Sequence, residues 1–166
     1  DANLPRASIA FITEHCTAPV FIDPVSTVKA EKLRGLLGCV HTLKPNRIEA
    51  ELLSGVKITD DESLRQAAQA LLDQGVQRVF LSLGGDGVLA AQQDEMQRVP
   101  ICRAEMRNAT GAGDAMMAAL VWSFLSGRSL TESAASGTAA AAIAVESEET
   151  INPAMSAEAV EKRLAH

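Results

Sequence analysis

"NATGAGDAMMAALVWSFLSG" occupies residues 108–127. Gly111 and Gly113 flank Ala112, Asp114 follows, and a long apolar run starts there. The run reads as a buried helix beginning near Ala112, preceded by a backbone turn that the glycines leave bare. The first N–H groups of a helix lack internal partners and carry partial positive charge, so such a turn can bind an anion. Asp114 falls in the first helical turn beside it. A carboxylate there can take a proton from a hydroxyl while the N–H groups hold the oxygens of a transferred phosphate. Local chemistry leaves a plainer alternative open, because acids are favoured in the first turn of any helix.

Outward from this stretch the chain alternates helices with short strands. Residues 4–15 read as a helix stopped by Pro19, and "VFID" (20–23) as a strand. "TVKAEKLRGLL" (27–37) reads as a helix stopped by Gly38, and "VHTL" (40–43) as a second strand. A helix after Pro45 ends at Gly55. Thr59 and Glu62 have capping-box spacing for a helix over 60–74 that Gly75 ends. "RVFLSL" (78–83) is a fully apolar strand, "GGDG" a turn, "VLAAQ" a strand, and "QRVPI" (97–101) another. Residues 112–126 and 130–146 read as long Ala-rich helices forming a buried layer, the second opened by a Ser129/Glu132 capping box. No internal repeat, linker or low-complexity segment interrupts them. This alternation predicts an α/β fold with a mostly parallel sheet.

Composition narrows the function. A net charge of −6 with 3% aromatic residues argues against nucleic-acid binding, which needs a positive face and stacking rings. No segment has the length or apolar character of a membrane span or a signal peptide, so a soluble cytoplasmic protein without a membrane partner is expected. Cys16, Cys39 and Cys102 are far apart and form no CxxC pair. They read as buried free thiols in a reducing compartment. His15, His41 and His166 show no metal-site spacing. The chain begins at Asp1 rather than Met, as a processed chain, an expression product or a fragment would.

Three further stretches stand in a particular order around the opening one: "KPNRIEAELLSG", "LSLGGDGVL" and "TAAAAIAV". With "ATGAGDAMMAAL" they resemble the Asn-x-x-Glu motif, the nucleotide turn, the adenine-side helix and the C-terminal signature of the ribokinase-like (PfkB) carbohydrate kinases. "DANL" and "FIDPV" also fit places in that family, so the resemblance covers nearly the whole chain. It implies a three-layer αβα sandwich. It also implies an ATP-dependent transfer of phosphate to a primary alcohol of a small sugar or nucleoside.

The resemblance makes Asp114 the catalytic base and the backbone of Gly111, Ala112 and Gly113 the anion hole. Asn46 and Glu49 would serve the phosphates and Mg2+, with Glu49 acting through metal-bound water. Three apart on a helix, they share a face; the same pair just after Pro45 is also a good capping box. Ser82, Gly84 and Gly87 match the nucleotide turn, which a simple hairpin would equally explain. Gly85, Gly87 and Ala90 also fit a dinucleotide pattern, but that pattern must open a helix and here the chain continues as strand. No Walker A lysine motif is present. Thr138 would lie near the adenine, or be an ordinary helix threonine.

Two departures from the family pattern bear on function. Asn108 stands where many members carry an acid associated with a monovalent cation site. An amide can ligate K+ but adds no charge. Asn108 and "ETINPAMS" (149–156) resemble the pseudouridine kinase branch, which implies the pseudouridine 5′-hydroxyl as acceptor. Ribose, fructose or adenosine as acceptors, and a non-catalytic nucleotide-binding domain, are the alternatives. Members of the family are also about twice this length. The 166 residues are therefore expected to be the C-terminal nucleotide-binding part of one kinase domain, without the N-terminal half and its lid. Alone they are expected to be poorly active, with an exposed strand edge and room for a second copy as partner.

Overall fold

Three short parallel strands organise the first part of the chain in the computed structural model, which describes residues 2–165. They are β1 (Phe21–Ile22), β2 (Thr42–Leu43) and β3 (Arg78–Ser82). Phe21 and Ile22 pair with Thr42 and Leu43, which pair in turn with Arg78 and Val79. β4 (Val88–Gln92) and β5 (Glu95–Val99) complete a sheet of order β1-β2-β3-β4-β5. Five residues separate β3 from β4 and two separate β4 from β5. A parallel pair needs a crossover of a dozen residues or more. The sheet is therefore mixed, so the expected mostly parallel sheet holds for β1, β2 and β3 and not beyond them, and the fold is α/β.

The chain forms two units. The first runs up to Leu83 and includes Leu89–Gln97; the second is Gly84–Val88 with the chain from Arg98 onward. In the first, α1 (Arg6–His15) precedes β1, α2 (Thr27–Ala30) lies between β1 and β2, and α3 (Arg47–Ser54) and α4 (Asp61–Asp73) connect β2 to β3. Leu33, Leu43, Leu71, Val79, Leu81 and Leu89 meet in its core. The apolar run of β3 is buried on both faces, as a strand within a covered sheet requires.

Several elements differ from their sequence reading. The helix expected over 27–37 stops at Ala30 and continues as 3-10 turns at Glu31–Leu33 and Leu37–Cys39. Gly35, inside that span, takes a left-handed φ of +74 and makes a continuous helix costlier by about 1 kcal/mol, and the tighter turns still bury Leu33 and Leu37. The capping box of α4 is Asp60/Ser63, not Thr59/Glu62. Asp60 Oδ1 accepts the Ser63 N–H at 2.8 Å, and Ser63 Oγ accepts the Asp60 N–H at 3.0 Å. β5 lies two residues earlier than expected, because the hairpin turns tightly at Gln93–Asp94. The cysteines are free, but Cys16 and Cys39 are exposed and Cys102 half-buried, not buried as expected. Cys16 and Cys39 close surface turns, where a small apolar side chain is left in solvent. Asp1 and His166 lie outside the described residues.

The second unit is helical. α5 (Ala112–Leu125) and α6 (Leu130–Val145) match their expected spans, and Ser129 and Glu132 form the expected box at the start of α6. Ala119 of α5 packs with Ala139, Ala140 and Ile143 of α6 and with Val160 of α7 (Ala157–Leu164). Small side chains let these helices approach closely. The sequence reading missed α7. Its marks are Ser156, whose hydroxyl caps Ala159, an acid in the first turn and Lys162 and Arg163 in the last. Arg163 fastens α7 by a bidentate pair with Glu146, at 3.0 and 2.5 Å, and by donating to the Arg103 carbonyl. Among the described residues no helix is long and apolar enough to cross a membrane.

Candidate active site

The turn expected to bind an anion belongs to the second unit. Gly111 is the N-cap of α5 at φ +86, in the left-handed region that favours glycine. Its carbonyl accepts the Ala115 N–H at 2.9 Å, the first bond of the helix. The N–H groups of Ala112, Gly113 and Asp114 precede that bond. No side chain caps them, as at α1, whereas α2, α3, α4, α6 and α7 each start with a side-chain cap. Gly113 and Asp114 are exposed, and Gly111 and Ala112 are half-buried. The turn thus presents backbone donors and one accessible carboxylate, the combination an anionic group and a hydroxyl would require together.

The backbone around this turn is anchored by the segment after α6. The Arg107 and Asn108 N–H groups both donate to the Val145 carbonyl, at 2.8 and 3.2 Å. Asn108 Nδ2 donates to the Glu148 carbonyl at 3.1 Å, and its Oδ1 accepts the Thr110 N–H at 2.9 Å. A Cβ on Gly111 would stand 2.5 Å from the Thr150 carbonyl oxygen, so glycine is required by close approach as well as by φ.

In the first unit, Asn46, Glu49 and Ser82 come together at the C-terminal ends of β2 and β3. Asn46 bridges to Ser82 in parallel register. Ser82 donates twice to the Pro45 carbonyl, through its N–H at 2.9 Å and its hydroxyl at 3.3 Å. Asn46 and Glu49 form a complete capping box on α3: Asn46 Oδ1 accepts the Glu49 N–H at 3.0 Å, and Glu49 Oε2 accepts the Asn46 N–H at 2.9 Å. Parallel α/β sheets characteristically bind ligands at this end of their strands.

Two residues that the sequence reading did not single out complete this cluster. Lys44 Nζ pairs with Asp23 Oδ2 at 2.7 Å, with the lysine side chain 7% exposed. Their signal is visible in hindsight: each is a charged residue directly following an apolar strand, in "FIDPV" and "TLKPN". Glu49 is itself buried, 2% exposed. Burial pushes its carboxyl above the usual range, and Asp23 pushes it the same way; the Asn46 hydrogen bonds and Lys44 oppose the rise. A carboxylate with one oxygen engaged in a cap retains lone pairs for water around a hard cation. Mg2+ keeps several waters when bound, so Glu49 fits an outer-sphere role.

Gly84 opens the 3-10 turn Gly84–Asp86 at φ +59, with open space where a Cβ would stand. Gly87, at φ +91, has a different constraint: a Cβ there would lie 2.2 Å from the Val99 carbonyl oxygen. Thr138 is buried in α6, and its hydroxyl donates to the Ala135 carbonyl at 2.9 Å, an internal helix bond. An open cavity of about 810 Å³ is lined by His41, Asp73, Gln77, Arg78 and Asp94, at the N-terminal ends of β2 and β3. None of the predicted site residues lines it. Among the described residues no three or more His, Cys, Asp or Glu side chains converge as a metal site.

Known proteins match most of the chain. The model of the "pfkB family carbohydrate kinase" family matches residues 6–157. The pseudouridine kinase of Escherichia coli is 38% identical over 159 residues, covering 94% of this chain and 50% of its own. A ribokinase of Haemophilus influenzae is 33% identical over 110 residues, covering 66% of this chain and 36% of its own. The structure of Arabidopsis thaliana ribokinase complexed with ribose and ATP superposes with a TM-score of 0.83 at 25% identity, covering 98% of this chain and 53% of its own. The chain thus spans about half the length or less of the curated relatives it matches. On the family match over residues 6–157 and the 38% identity to a relative covering 94% of this chain, the chain belongs to the pfkB family of carbohydrate kinases.

Proposed function

We propose that the chain is the nucleotide-binding part of an ATP-dependent kinase that phosphorylates a primary alcohol of a sugar or nucleoside. The observation that carries this reading is the start of α5, where backbone donors without a side-chain cap and exposed Asp114 share one turn. In the proposed reaction Asp114 takes the proton from the acceptor hydroxyl. The acceptor oxygen bonds to the γ-phosphorus, and the bond from that phosphorus to the β–γ bridging oxygen breaks, releasing ADP. N–H groups of Gly111, Ala112 and Gly113 hold the transferred oxygens, whose charge needs fixed donors rather than mobile water. Positioning and charge stabilisation are most of what phosphoryl transfer asks of a protein.

Glu49 and Asn46 are the residues that would face Mg2+ and the phosphates, Glu49 through water. Bound Mg2+ would supply charge neutralisation at the phosphate oxygens. Ser82, Gly84, Gly87 and Thr138 belong to the nucleotide side of this proposal. The pseudouridine 5′-hydroxyl is the acceptor we favour, supported by the 38% identity to a pseudouridine kinase. Relatives named ribokinase and 1-phosphofructokinase also match, and they define the competing acceptors.

The test is ATP consumption by the intact protein against pseudouridine, uridine, adenosine, ribose and fructose, with Asp114→Asn as control. Turnover on one acceptor that the variant loses, while still binding ATP, is the expected result. ATP binding without turnover on any acceptor would instead favour a non-catalytic nucleotide-binding domain.

A further inference from the structure

The Asn108 side chain is oriented without ambiguity. Its Oδ1 accepts the Thr110 N–H at 2.9 Å, so the amide nitrogen must be the atom 3.1 Å from the Glu148 carbonyl oxygen. The nitrogen end of an amide is a donor and cannot ligate a cation. The two N–H bonds to the Val145 carbonyl fix the same two segments to each other, and a Cβ on Gly111 would lie 2.5 Å from the Thr150 carbonyl oxygen. Hydrogen bonds at two places therefore join residues 107–108 to residues 145–148, and one of them runs through a side-chain amide.

We propose that Asn108 is a positioning residue for the anion turn: its amide bridges the Glu148 carbonyl to residues 108–111, where a monovalent cation would otherwise be needed. This rests on reading Gly111–Asp114 as the phosphoryl-transfer site. The residues do not fit a cation ligated by Asn108, because the group facing the Glu148 carbonyl is an N–H donor and satisfies that oxygen directly. An aspartate at 108 would keep the acceptor for Thr110 but at neutral pH set a carboxylate oxygen against the carbonyl, two negative ends that a cation between them would reconcile. Transfer by the native protein should then be indifferent to potassium, and Asn108→Asp should create a dependence on it.

The experiment compares the intact native protein, Asn108→Asp and Asn108→Ala in potassium chloride and in tetramethylammonium chloride of equal ionic strength. It reads kcat, KM and melting temperature. The native kcat should change by less than about twofold between salts, and Asn108→Ala should lose at least about tenfold in kcat in both, since a displaced turn misplaces the phosphate. Asn108→Asp should be as impaired as Asn108→Ala in tetramethylammonium and regain most of its kcat in potassium, with the acceptor KM little changed. A merely structural asparagine would give no salt-specific rescue. Activation of the native protein by potassium of about tenfold or more, or an aspartate variant indifferent to salt, would overturn the proposal. If the native protein turns over no acceptor, the kinase reading fails by itself and melting temperature decides. Potassium stabilising Asn108→Asp but not the native chain supports the amide bridge; stabilisation of the native chain alone overturns it.

Discussion

Lys44 Nζ lies 2.7 Å from Asp23 Oδ2, with side-chain exposures of 7% and 17%, which places an ion pair of adjacent parallel strands beside the buried carboxyl of Glu49. Removing one member leaves the other charge shielded from water without its partner. Lys44→Met should destabilise the protein by about 3 kcal/mol. The double variant Lys44→Met/Asp23→Asn should recover part of that loss. Urea unfolding of the two single variants and the double variant checks this, and additive losses would show that the pair is not coupled.

Asp114 is exposed and makes no contribution to the core. Asp114→Asn should therefore leave stability within about 0.5 kcal/mol of native. Turnover by the intact protein should fall about 10²- to 10⁴-fold through loss of the base. Paired measurement of unfolding and of steady-state kinetics separates these effects. A variant that keeps its turnover would remove Asp114 from the proposed chemistry.

Gly111 and Gly55 both sit at positive φ, but only Gly111 has a carbonyl oxygen where its Cβ would go; nothing lies within 4 Å of that position at Gly55. Gly55→Ala should cost about 1 kcal/mol, the left-handed backbone penalty alone. Gly111→Ala should cost more than that and should lower kcat by at least about tenfold, because relief of the clash must move the turn. Thermal melting of both variants and kinetics of the second provide the check.

The pairing of Glu146 with Arg163 has a defined pH signature. The Arg163 hydrogen bonds hold the Glu146 carboxyl below its ordinary value, against a smaller opposing effect of burial. A depressed carboxylate stabilises the fold above its unfolded value, ordinarily near 4.5, and that stability disappears as pH falls through the folded value. Arg163→Met should therefore cost about 1 kcal/mol at pH 7. The gap from native should narrow as pH drops below the unfolded value. Urea unfolding at pH 7, 5 and 3.5 tests it; a gap independent of pH would assign the loss to packing of the arginine stem.

Much of the molecule was determined by the sequence alone, because the relevant interactions are local. The spans of α5 and α6 follow from their apolar runs, and the boxes Asn46/Glu49 and Ser129/Glu132 from spacing over a single turn. The order of signature stretches identified the family by the same short-range reading. Capping at Asp60 rather than Thr59 shows the limit: three adjacent polar residues could each start that helix, and only the packing of its apolar face selects the register. The break-up of residues 27–39 was likewise decided by the core, which takes Leu33 and Leu37 without a continuous helix between them. Strand direction after β3 depended on how far the chain travels before pairing. The Lys44–Asp23 pair joins residues 21 apart, and the Asn108–Glu148 bridge residues 40 apart. Such contacts have no periodic trace in a sequence; they exist only when non-local packing brings two backbones to one place, and here that packing sets both the charge around Glu49 and the backing of the anion turn.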